Sequence, residues 1–490
     1  MIRNVNVTRN ANVTRTASWR LGAAALVSSL ALASCAAGTV PGSGVITTSA
    51  ARGSNVVTSG SNVVTSGSAV VTNDATGPRL AATGKAKKSK IQHIIVIVQE
   101  NRSFDNLFQG FPGANTVSAG QNSKGQRVPL TAIPLEAAYQ LDHSASAFFT
   151  DCNGTSPGQN CKMNGFNNET VWGFDPPANP EYGYVPAAES APYFQMAAAY
   201  VLADNMFASN LDMSFASHQY IIAGQAESAV NVPNLLWGCG GQSGQDSVAT
   251  LNQDRSIGPS VFPCFDPQTL ADELDAAKLS WRYYAPSASD SSGYIWSAFQ
   301  AVNHIYNGPE WATNVISPPA QFLTDVGDGK LANMTWIVPT DANSDHVGSQ
   351  SNTGPAWVTS LVNAVGTSKF WKSSAIFIMW DEWGGWYDHV PPPYEDYDGL
   401  GMRIPLIMIS PYSKQGYVSH VQYEHGSILR FVEDNYGLAQ LAASDARATS
   451  PAADAFDFSQ KPTKFNAFNA QLKADYFLKQ PPDNRPPDDD

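Results

Sequence analysis

The sequence has few basic side chains for its length. Its 490 residues include 29 Lys and Arg against 42 Asp and Glu, and the formal net charge is −13. A nucleic-acid backbone is held by clustered basic groups, so we predict no nucleic-acid partner. The acidic balance does not exclude a phosphate ester at a metal site, because the bound ion then supplies the positive charge.

Long apolar runs are equally scarce, and the clearest one lies near the N-terminus. Residues 21–33 are rich in Ala and Leu, and they follow four arginines with no acidic residue before them. This run is too short to span a bilayer comfortably, and its flanks are typical of a signal peptide. No other run in the sequence has the length and apolar character of a membrane span.

The end of this run contains a possible lipidation site. Residues 32–35 read LASC, which resembles a bacterial lipoprotein signal that is cleaved before a lipidated cysteine. We therefore expect an exported, membrane-anchored bacterial lipoprotein, in the periplasm or at the cell surface, with its lipid on Cys35. An ordinary signal peptide with a chance cysteine is the alternative.

Composition divides the chain into four parts. Residues 1–34 are predicted to be the signal peptide, and residues 35–90 a flexible tether of low complexity, rich in repeated Gly, Ser, Val and Thr. Residues 91–475 have the mixed texture of a folded domain and are predicted to form one large unit. The tail, residues 476–490, is rich in Pro and Asp, which is typical of disorder.

Cysteines are also few, and their number is odd. Cys35 is the predicted lipid site, and the other four fit two local disulfides in an oxidising compartment. Proximity favours Cys152–Cys161 and Cys239–Cys264, although four cysteines allow three connectivities.

Short β-branched apolar runs predict buried strands. These runs are residues 93–98, 334–338, 375–380 and 404–410. Helical patterns such as residues 269–278 and 427–436 lie between or after them. Strands that alternate with helices predict an α/β fold, with a central, mainly parallel sheet flanked by helices. Residues 110–200 are rich in Gly, Pro, Asn and Cys, and we expect an irregular insertion there.

Three of these runs lead directly into clustered polar residues. In open α/β sheets, ligands bind outside the carboxyl ends of the strands, so these side chains are predicted to meet in one cleft. They are Glu100 and Asn101 after the first run, Asp341, Asp345 and His346 after the second, and Asp381, Glu382 and His389 after the third.

The side-chain types in this predicted cleft indicate metal chemistry. Carboxylate and amide oxygens are hard ligands, so we predict one oxygen-liganded divalent ion of the Ca²⁺, Mg²⁺ or Mn²⁺ type. Such an ion polarises a phosphoryl oxygen, and a hydroxyl can then attack phosphorus. A nearby histidine can stabilise charge or protonate the leaving group.

Three longer motifs carry a family resemblance. Residues 94–110 (IIVIVQENRSFDNLFQG), 378–393 (IMWDEWGGWYDHVPPP) and 423–438 (YEHGSILRFVEDNYGL) resemble the signatures of the bacterial phosphoesterase family. That family contains phosphocholine-type phospholipases C and related acid phosphatases, and it is similar to the alkaline-phosphatase-like superfamily. The resemblance covers about residues 91–440 and implies an alkaline-phosphatase-like fold.

The resemblance also implies roles for individual residues. The metal ligands it implies are Glu100, Asn101, Asp381 and Glu382. The further active-site residues it implies are His143, Asp345, His346 and His389.

The nucleophile implied by the resemblance lies in residues 213–220 (MSFASHQY). The family usually shows a Ser or Thr, one further residue, and then Pro-Asn-Arg or Pro-Asn-His. Ser214 takes the nucleophile position, where it would also contact the metal ion. Ala216 and Ser217 replace the Pro and Asn, and this departure makes Ser217 the alternative nucleophile.

Two substrates and one non-catalytic role are compatible with these residues. A serine nucleophile with a metal ion predicts phosphate-ester hydrolysis, most simply of small phosphomonoesters as in the acid phosphatases. Only 52 residues follow position 438, which favours small soluble esters over phospholipids. A phospholipase C that cleaves phospholipid diesters is the alternative. An inactive surface lipoprotein that binds phosphorylated ligands is the third possibility.

Tryptophans beside the predicted metal site raise a related question. Trp380, Trp383 and Trp386 could hold a choline headgroup, because aromatic walls attract a quaternary ammonium. The chain has 12 Trp, however, and large aromatic side chains usually pack in cores. Core packing is therefore the favoured interpretation of these three.

Overall fold

The computed structural model describes residues 89–349 and 351–485. The predicted signal peptide, the lipid anchor at Cys35 and nearly all of the tether lie outside the described residues, and they stay predictions. Within the described ranges, none of the helices combines the length and the apolar character that crossing a bilayer requires.

One large sheet organises the described chain. Its nine strands are β1 His93–Gln99, β2 Val201–Phe207, β3 Trp281–Tyr284, β4 Val315–Ile316, β5 Met334–Ile337, β6 Ser374–Trp380, β7 Arg403–Ile409, β8 Tyr417–Ser419 and β9 Tyr423–Glu424. Their order is β4-β3-β5-β1-β6-β7-β2-β8, and β9 pairs with β2 beside β8. Strand β7 runs antiparallel to β6 and β2, whereas the other pairs are parallel. The predicted mainly parallel sheet is thus confirmed.

Helices cover the sheet. They are α1 Phe104–Phe108, α2 Ala145–Cys152, α3 Ala191–Ala199, α4 Ser214–Ala223, α5 Leu270–Ala276, α6 Ser291–Tyr294, α7 Asn303–Tyr306, α8 Pro309–Asn314, α9 Gln321–Gly327, α10 Gly354–Gly366, α11 His425–Tyr436, α12 Ala443–Arg447 and α13 Ala474–Leu478. Every residue of β6 and β7 is buried. Because successive side chains of a strand point to opposite faces, this burial shows that both faces of the sheet are covered.

The four predicted strands are confirmed, and each observed bound lies within one residue of the predicted one. Strands β2 and β3 were not predicted. Strand β2 carries the polar pair Asp204 and Asn205 within an apolar run, which hides its β character. Strand β3 reads WRYY, so it lacks the β-branched residues that mark the others.

The segment predicted to be an irregular insertion contributes small ladders outside the main sheet. Its short strands are Ala119–Gln121, Arg127–Pro129, Thr131–Ala132, Tyr139–Leu141, Val171–Gly173 and Gly183–Tyr184. The predicted disulfides Cys152–Cys161 and Cys239–Cys264 are both present. The first closes a loop within the insertion, directly after α2.

The C-terminal tail departs from the sequence prediction. Helix α13 lies at its start, and Phe477 is buried with its ring 5.2 Å from that of Trp357. The Pro- and Asp-rich composition concealed this apolar anchor. The prediction of disorder is therefore corrected for residues 476–485, and residues 486–490 lie outside the described residues.

Parallel pairing places the polar residues that follow the strands at one edge of the sheet. Strands β1, β2, β5 and β6 all run in the same direction, so their carboxyl ends lie at one edge. The segments that follow them carry most of the polar residues named above.

Candidate active site

The register of β1 and β6 places two acids side by side at this edge. Gln99 pairs with Trp380, so the next residues of the two strands, Glu100 and Asp381, are neighbours. The Asp381 N–H donates to the Gln99 carbonyl at 3.0 Å, and the Asn101 N–H donates to the Asp381 carboxylate at 2.9 Å. Both acids are fully buried. The two strand ends therefore form one buried acidic pocket.

A close approach between two loops shapes this pocket. Asn101 has a φ of +58°, in the left-handed region that Asn tolerates better than most residues. Gly384 packs against it, and a Cβ at that position would lie 2.4 Å from the Asn101 carbonyl oxygen. The Arg102 N–H donates to the Glu382 carbonyl at 3.0 Å. Glycine at position 384 is therefore needed to bring the two motifs together.

Helix α4 brings a hydroxyl and an imidazole to the same acids. Ser214 and His218 are four residues apart, so they share one face of the helix. His218 Nε2 lies 3.1 Å from Glu100 Oε1 and 3.8 Å from Asp381 Oδ2. Ser214 lies beside the Asp381 carboxylate and opposes the increase in its pKa. Ligand atoms of Glu100, His218 and Asp381 all lie within 4.8 Å of one another.

The insertion supplies a second imidazole. His143 Nδ1 lies 2.8 Å from the Leu141 carbonyl, which assigns the ring proton of the neutral form to Nδ1. Nε2 then accepts from the Asn101 side-chain amide at 3.1 Å, and it lies 3.7 Å from Glu382 Oε1. The insertion is therefore part of this site.

Burial dominates the electrostatics of the pocket. It raises the pKa of Glu100 to about 8 and that of Asp381 to about 7. It also raises the pKa of Glu382 well above its usual range and lowers the pKa of His218 to about 4. An acid resists ionisation in a low-dielectric site, and an imidazole resists protonation there. The imidazole of His218 is therefore neutral near pH 7 and does not balance the charge of the three acids.

The donor set fits a divalent cation. Asn101 Oδ1 and Glu382 Oε1 are buried and have no hydrogen-bond partner among the described residues. Adjacent buried carboxylates such as Glu100 and Asp381 are costly unless a proton or a cation neutralises them. The neutral imidazole of His218 adds a nitrogen donor to this oxygen-rich set. The four predicted metal ligands thus lie in one cluster, which we call the inner cluster together with Ser214, His143 and His218.

Comparison with known proteins places the chain in a family. A model of the Phosphoesterase family matches residues 91–439. The chain belongs to the Phosphoesterase family. This match confirms the resemblance inferred from the three motifs, and with it the predicted enzyme class.

Phospholipases C are among the similar proteins. Hemolytic phospholipase C of Pseudomonas aeruginosa is 25% identical over 404 residues, which cover 71% of this chain and 53% of that protein. Phospholipase C B of Mycobacterium tuberculosis is 24% identical over 442 residues, covering 78% of this chain and 81% of that protein. The chain therefore spans about half the length of the Pseudomonas relative. A solved protein of the alkaline phosphatase superfamily from Vibrio parahaemolyticus is 10% identical, with a TM-score of 0.35 over 74% of this chain and 73% of that one.

The histidine that closes the second family motif lies in a different cluster. His389 Nδ1 is 2.5 Å from Asp105 Oδ2, and its Nε2 is 3.1 Å from Asn115 Oδ1. The guanidinium of Arg403 donates to Asp388 at 3.0 Å and lies 3.4 Å from Asp105. We call Asp105, Asp388, His389 and Arg403 the outer cluster.

The outer cluster joins the two family motifs. Asp105 belongs to the first motif and Asp388 to the second, and the Asp105 N–H donates to the Asp388 carboxylate at 3.1 Å. Burial raises the pKa of Asp388 to about 6, and the adjacent Arg403 opposes this increase. The outer cluster therefore contains, in Arg403, a cation that pairs with its acids.

The predicted pair Asp345 and His346 lies beside the inner cluster, in the loop after β5. Asp345 Oδ2 accepts from the Tyr193 hydroxyl at 2.8 Å and from the Trp380 indole at 3.1 Å. Its negative charge contributes to the raised pKa of Glu100. His346 is buried, and its ring centroid lies 5.6 Å from that of Trp296.

Sequence reasoning missed His218, although a signal was present. It occupies the position at which the family shows Arg or His after Pro-Asn, and it contacts the acids directly. The alternative nucleophile Ser217 instead donates to Asn210 Oδ1 at 3.1 Å. Trp380, Trp383 and Trp386 are each 0% exposed, so they pack in the interior as favoured.

Proposed function

We propose that this chain is a metal-dependent hydrolase of phosphate esters that uses Ser214 as its nucleophile. The observation that carries the proposal is the position of Ser214 on α4, on the same helix face as His218, which contacts the buried acids Glu100 and Asp381. Ser217 is the weaker candidate for the nucleophile, because its hydroxyl already donates a hydrogen bond to Asn210 Oδ1.

Glu100, Asn101, Asp381, Glu382 and His218 are the residues that would hold a divalent cation. When bound, such an ion polarises a phosphoryl oxygen and neutralises the charge that develops in the transition state. The calcium, magnesium or manganese type is favoured because most of these donors are oxygens.

Ser214 is positioned to attack phosphorus. It is the first residue of α4, and a helix N-terminus attracts the negative charge of a phosphate. Its Oγ forms the new bond to phosphorus, and its proton passes to the Asp381 carboxylate. The bond between phosphorus and the leaving oxygen breaks in the same step. Water then cleaves the bond between phosphorus and Ser214 Oγ, which restores Ser214 and releases inorganic phosphate from a monoester or the phosphorylated headgroup from a diester.

His143 is the group we assign to the leaving oxygen. Its Nδ1 is held by Leu141, so its Nε2 is the atom available for proton exchange beside Asn101 and Glu382. The protonated ring carries its second proton on Nε2, and transfer of that proton to the leaving oxygen neutralises the departing alkoxide and leaves the ring neutral.

For the substrate, we propose a phosphodiester with a small headgroup, as in phospholipids. The support is that the relatives named above are phospholipases C and match 71–78% of this chain. A phosphomonoester is the second candidate, because Ser214 is only 4% exposed and such a closed site suits a small ester.

The test is turnover of p-nitrophenyl phosphorylcholine and p-nitrophenyl phosphate by the mature protein. Wild type, Ser214→Ala and Ser217→Ala are compared, with EDTA and with added Ca²⁺, Mg²⁺ or Mn²⁺. We expect EDTA-sensitive cleavage that Ser214→Ala abolishes and Ser217→Ala largely retains. The preferred compound separates diester from monoester. Absence of cleavage by wild type with every ion would overturn the proposal in favour of a binding protein.

A further inference from the structure

The C-terminal residues 480–485, which we call the strap, are tied to the loop after β5. Arg485 pairs with Asp341 at 2.5 Å and donates to the Ser349 carbonyl at 3.2 Å. Asp341 is almost fully buried, whereas the Arg485 side chain is 43% exposed. A partly solvated cation near the C-terminus thus pairs with a buried acid of this loop.

Further contacts fasten the strap along its length. The Asn343 side-chain amide donates to Gln480 Oε1 at 2.7 Å. The Asp483 N–H donates to Asp290 Oδ1 at 3.1 Å, and the Ser291 hydroxyl donates to the Arg485 carbonyl at 2.9 Å. The strap therefore spans from the loop after β5 to the start of α6.

The loop held by the strap in turn braces the inner cluster. Gln99 donates to the Asn343 carbonyl at 3.1 Å and accepts from the Asp345 N–H at 2.8 Å. Arg102 donates to the Asp345 carbonyl at 2.9 Å. Gln99 and Arg102 flank Glu100 and Asn101 in sequence. A displacement of this loop would therefore act directly on two of the proposed metal ligands.

A cavity of about 260 Å³ adjoins the strap, and its lining includes Thr340 and Asn343 of the loop and Gln480, Pro481 and Pro482 of the strap. Ordering a loop costs on the order of 1–2 kcal/mol per residue in backbone entropy, so polar ties at its ends matter.

We propose that the strap is a positioning element of the active site and that Arg485 is its key positioning residue. Arg485 fixes the loop of residues 340–349, and the hydrogen bonds of Gln99 transmit that placement to Glu100. The inference rests on the proposed function for its catalytic consequence, whereas the ordering of the loop stands independently.

The experiment compares two truncations of the mature protein. One ends after Lys479 and removes the strap; the matched control ends after Arg485 and keeps it. Arg485→Ala and Arg485→Lys complete the set. Misplacement of catalytic groups by about 1 Å can cost about a hundredfold in rate, so we expect kcat to fall about tenfold or more without the strap. We expect KM to change little, Arg485→Lys to recover part of the rate, and the control to match wild type.

Hydrogen exchange of the amides in residues 340–349 provides a readout that does not depend on turnover. We expect faster exchange there in the Lys479 truncation and in Arg485→Ala, with the exchange of β1 and β6 unchanged. Wild-type exchange and kcat in both variants would overturn the proposal. If wild type itself hydrolyses no ester, the proposed function fails, and the exchange result alone then decides whether the strap orders the loop.

Discussion

The inner and outer clusters are built by the same two family motifs, yet they are neutralised in different ways. Each contains buried acids from both motifs and a histidine. In the outer cluster, the guanidinium of Arg403 lies within 3.4 Å of Asp105 and Asp388. In the inner cluster, His218 Nε2 lies 3.1 Å from Glu100 and 3.8 Å from Asp381, and burial lowers the pKa of its imidazole to about 4, so the ring is neutral near pH 7.

This difference indicates what each cluster does. A buried acid pair with its own Arg is complete as a structural clamp, and breaking it leaves unpaired charge. A buried acid group without a side-chain cation has raised pKa values and needs a proton or a metal ion. We therefore assign chemistry to the inner cluster and the joining of the two motifs to the outer one.

The largest effect on activity is expected from substitution of a single acid in the inner cluster. We expect Asp381→Asn to lower kcat/KM by about a thousandfold, because it removes both a proposed metal ligand and the proposed proton acceptor of Ser214. The free energy of unfolding of the metal-free variant should stay equal to that of wild type or rise, since one of two facing acids becomes neutral. Turnover and urea unfolding are the measurements. A large loss of stability would instead assign Asp381 a structural role.

Removing the guanidinium of Arg403 from the outer cluster should instead lower the free energy of unfolding. Arg403→Leu leaves Asp105 and Asp388 buried without a partner, so we expect the free energy of unfolding to fall by about 3–5 kcal/mol. Arg403→Lys, which keeps the charge, should lose less. Urea unfolding of the EDTA-treated proteins measures both. A loss below about 1 kcal/mol in Arg403→Leu would contradict the role assigned to this cluster.

The pH dependence of stability sharpens the comparison further. In the metal-free protein the pKa values of Glu100 and Asp381 are raised to about 8 and about 7. The folded state thus retains protons that the unfolded chain has released above about pH 4, and the free energy of unfolding should fall as pH rises from about 5 to 8. A bound divalent ion replaces these protons, so its stabilisation should grow with pH and reach about 2.7 kcal/mol at a hundredfold excess over Kd.

Thermal unfolding across this pH range, with EDTA or with Mn²⁺, measures the effect. Glu100→Gln is the matched control, because it removes one titrating acid and should flatten the profile of the EDTA-treated protein. An equal pH profile in wild type and Glu100→Gln would contradict the assignment of these raised pKa values.

The smallest expected effect is that of substituting His389, and His143 provides the comparison. His389 lies in the outer cluster, so we expect His389→Gln to lower kcat by less than about tenfold. His143→Gln should lower kcat by about a hundredfold or more, since loss of general acid catalysis typically costs that much. Steady-state kinetics on both substrates decide the matter. Equal losses would restore the catalytic role that the family resemblance implied for His389.

Much of the sheet and most of the inner cluster could be predicted because their signals are local. Short apolar runs mark β1 and β6, and the acids at their ends follow directly in sequence. Parallel pairing then makes their convergence a geometric consequence. The two disulfides were predictable for the same reason, because each joins cysteines that are close in sequence.

The parts that escaped prediction depend on contacts between distant segments. His218 becomes a partner of Glu100 only through the packing of α4, and His389 contacts Asp105 beside Arg403 of β7. The pairing of Arg485 with Asp341 joins residues 144 positions apart. The composition of residues 476–490 predicted disorder, because local composition carries no information on a partner as distant as Asp341.

The most direct test of this account is titration calorimetry of the metal-free protein with Mn²⁺ and with Ca²⁺. Wild type, Asp381→Asn and His389→Gln are compared at one pH near 7.5. We predict that wild type and His389→Gln bind one ion per chain with similar affinity and that Asp381→Asn loses this binding. Ion binding that persists in Asp381→Asn but disappears in His389→Gln would contradict the account, because it would place the metal ion in the outer cluster.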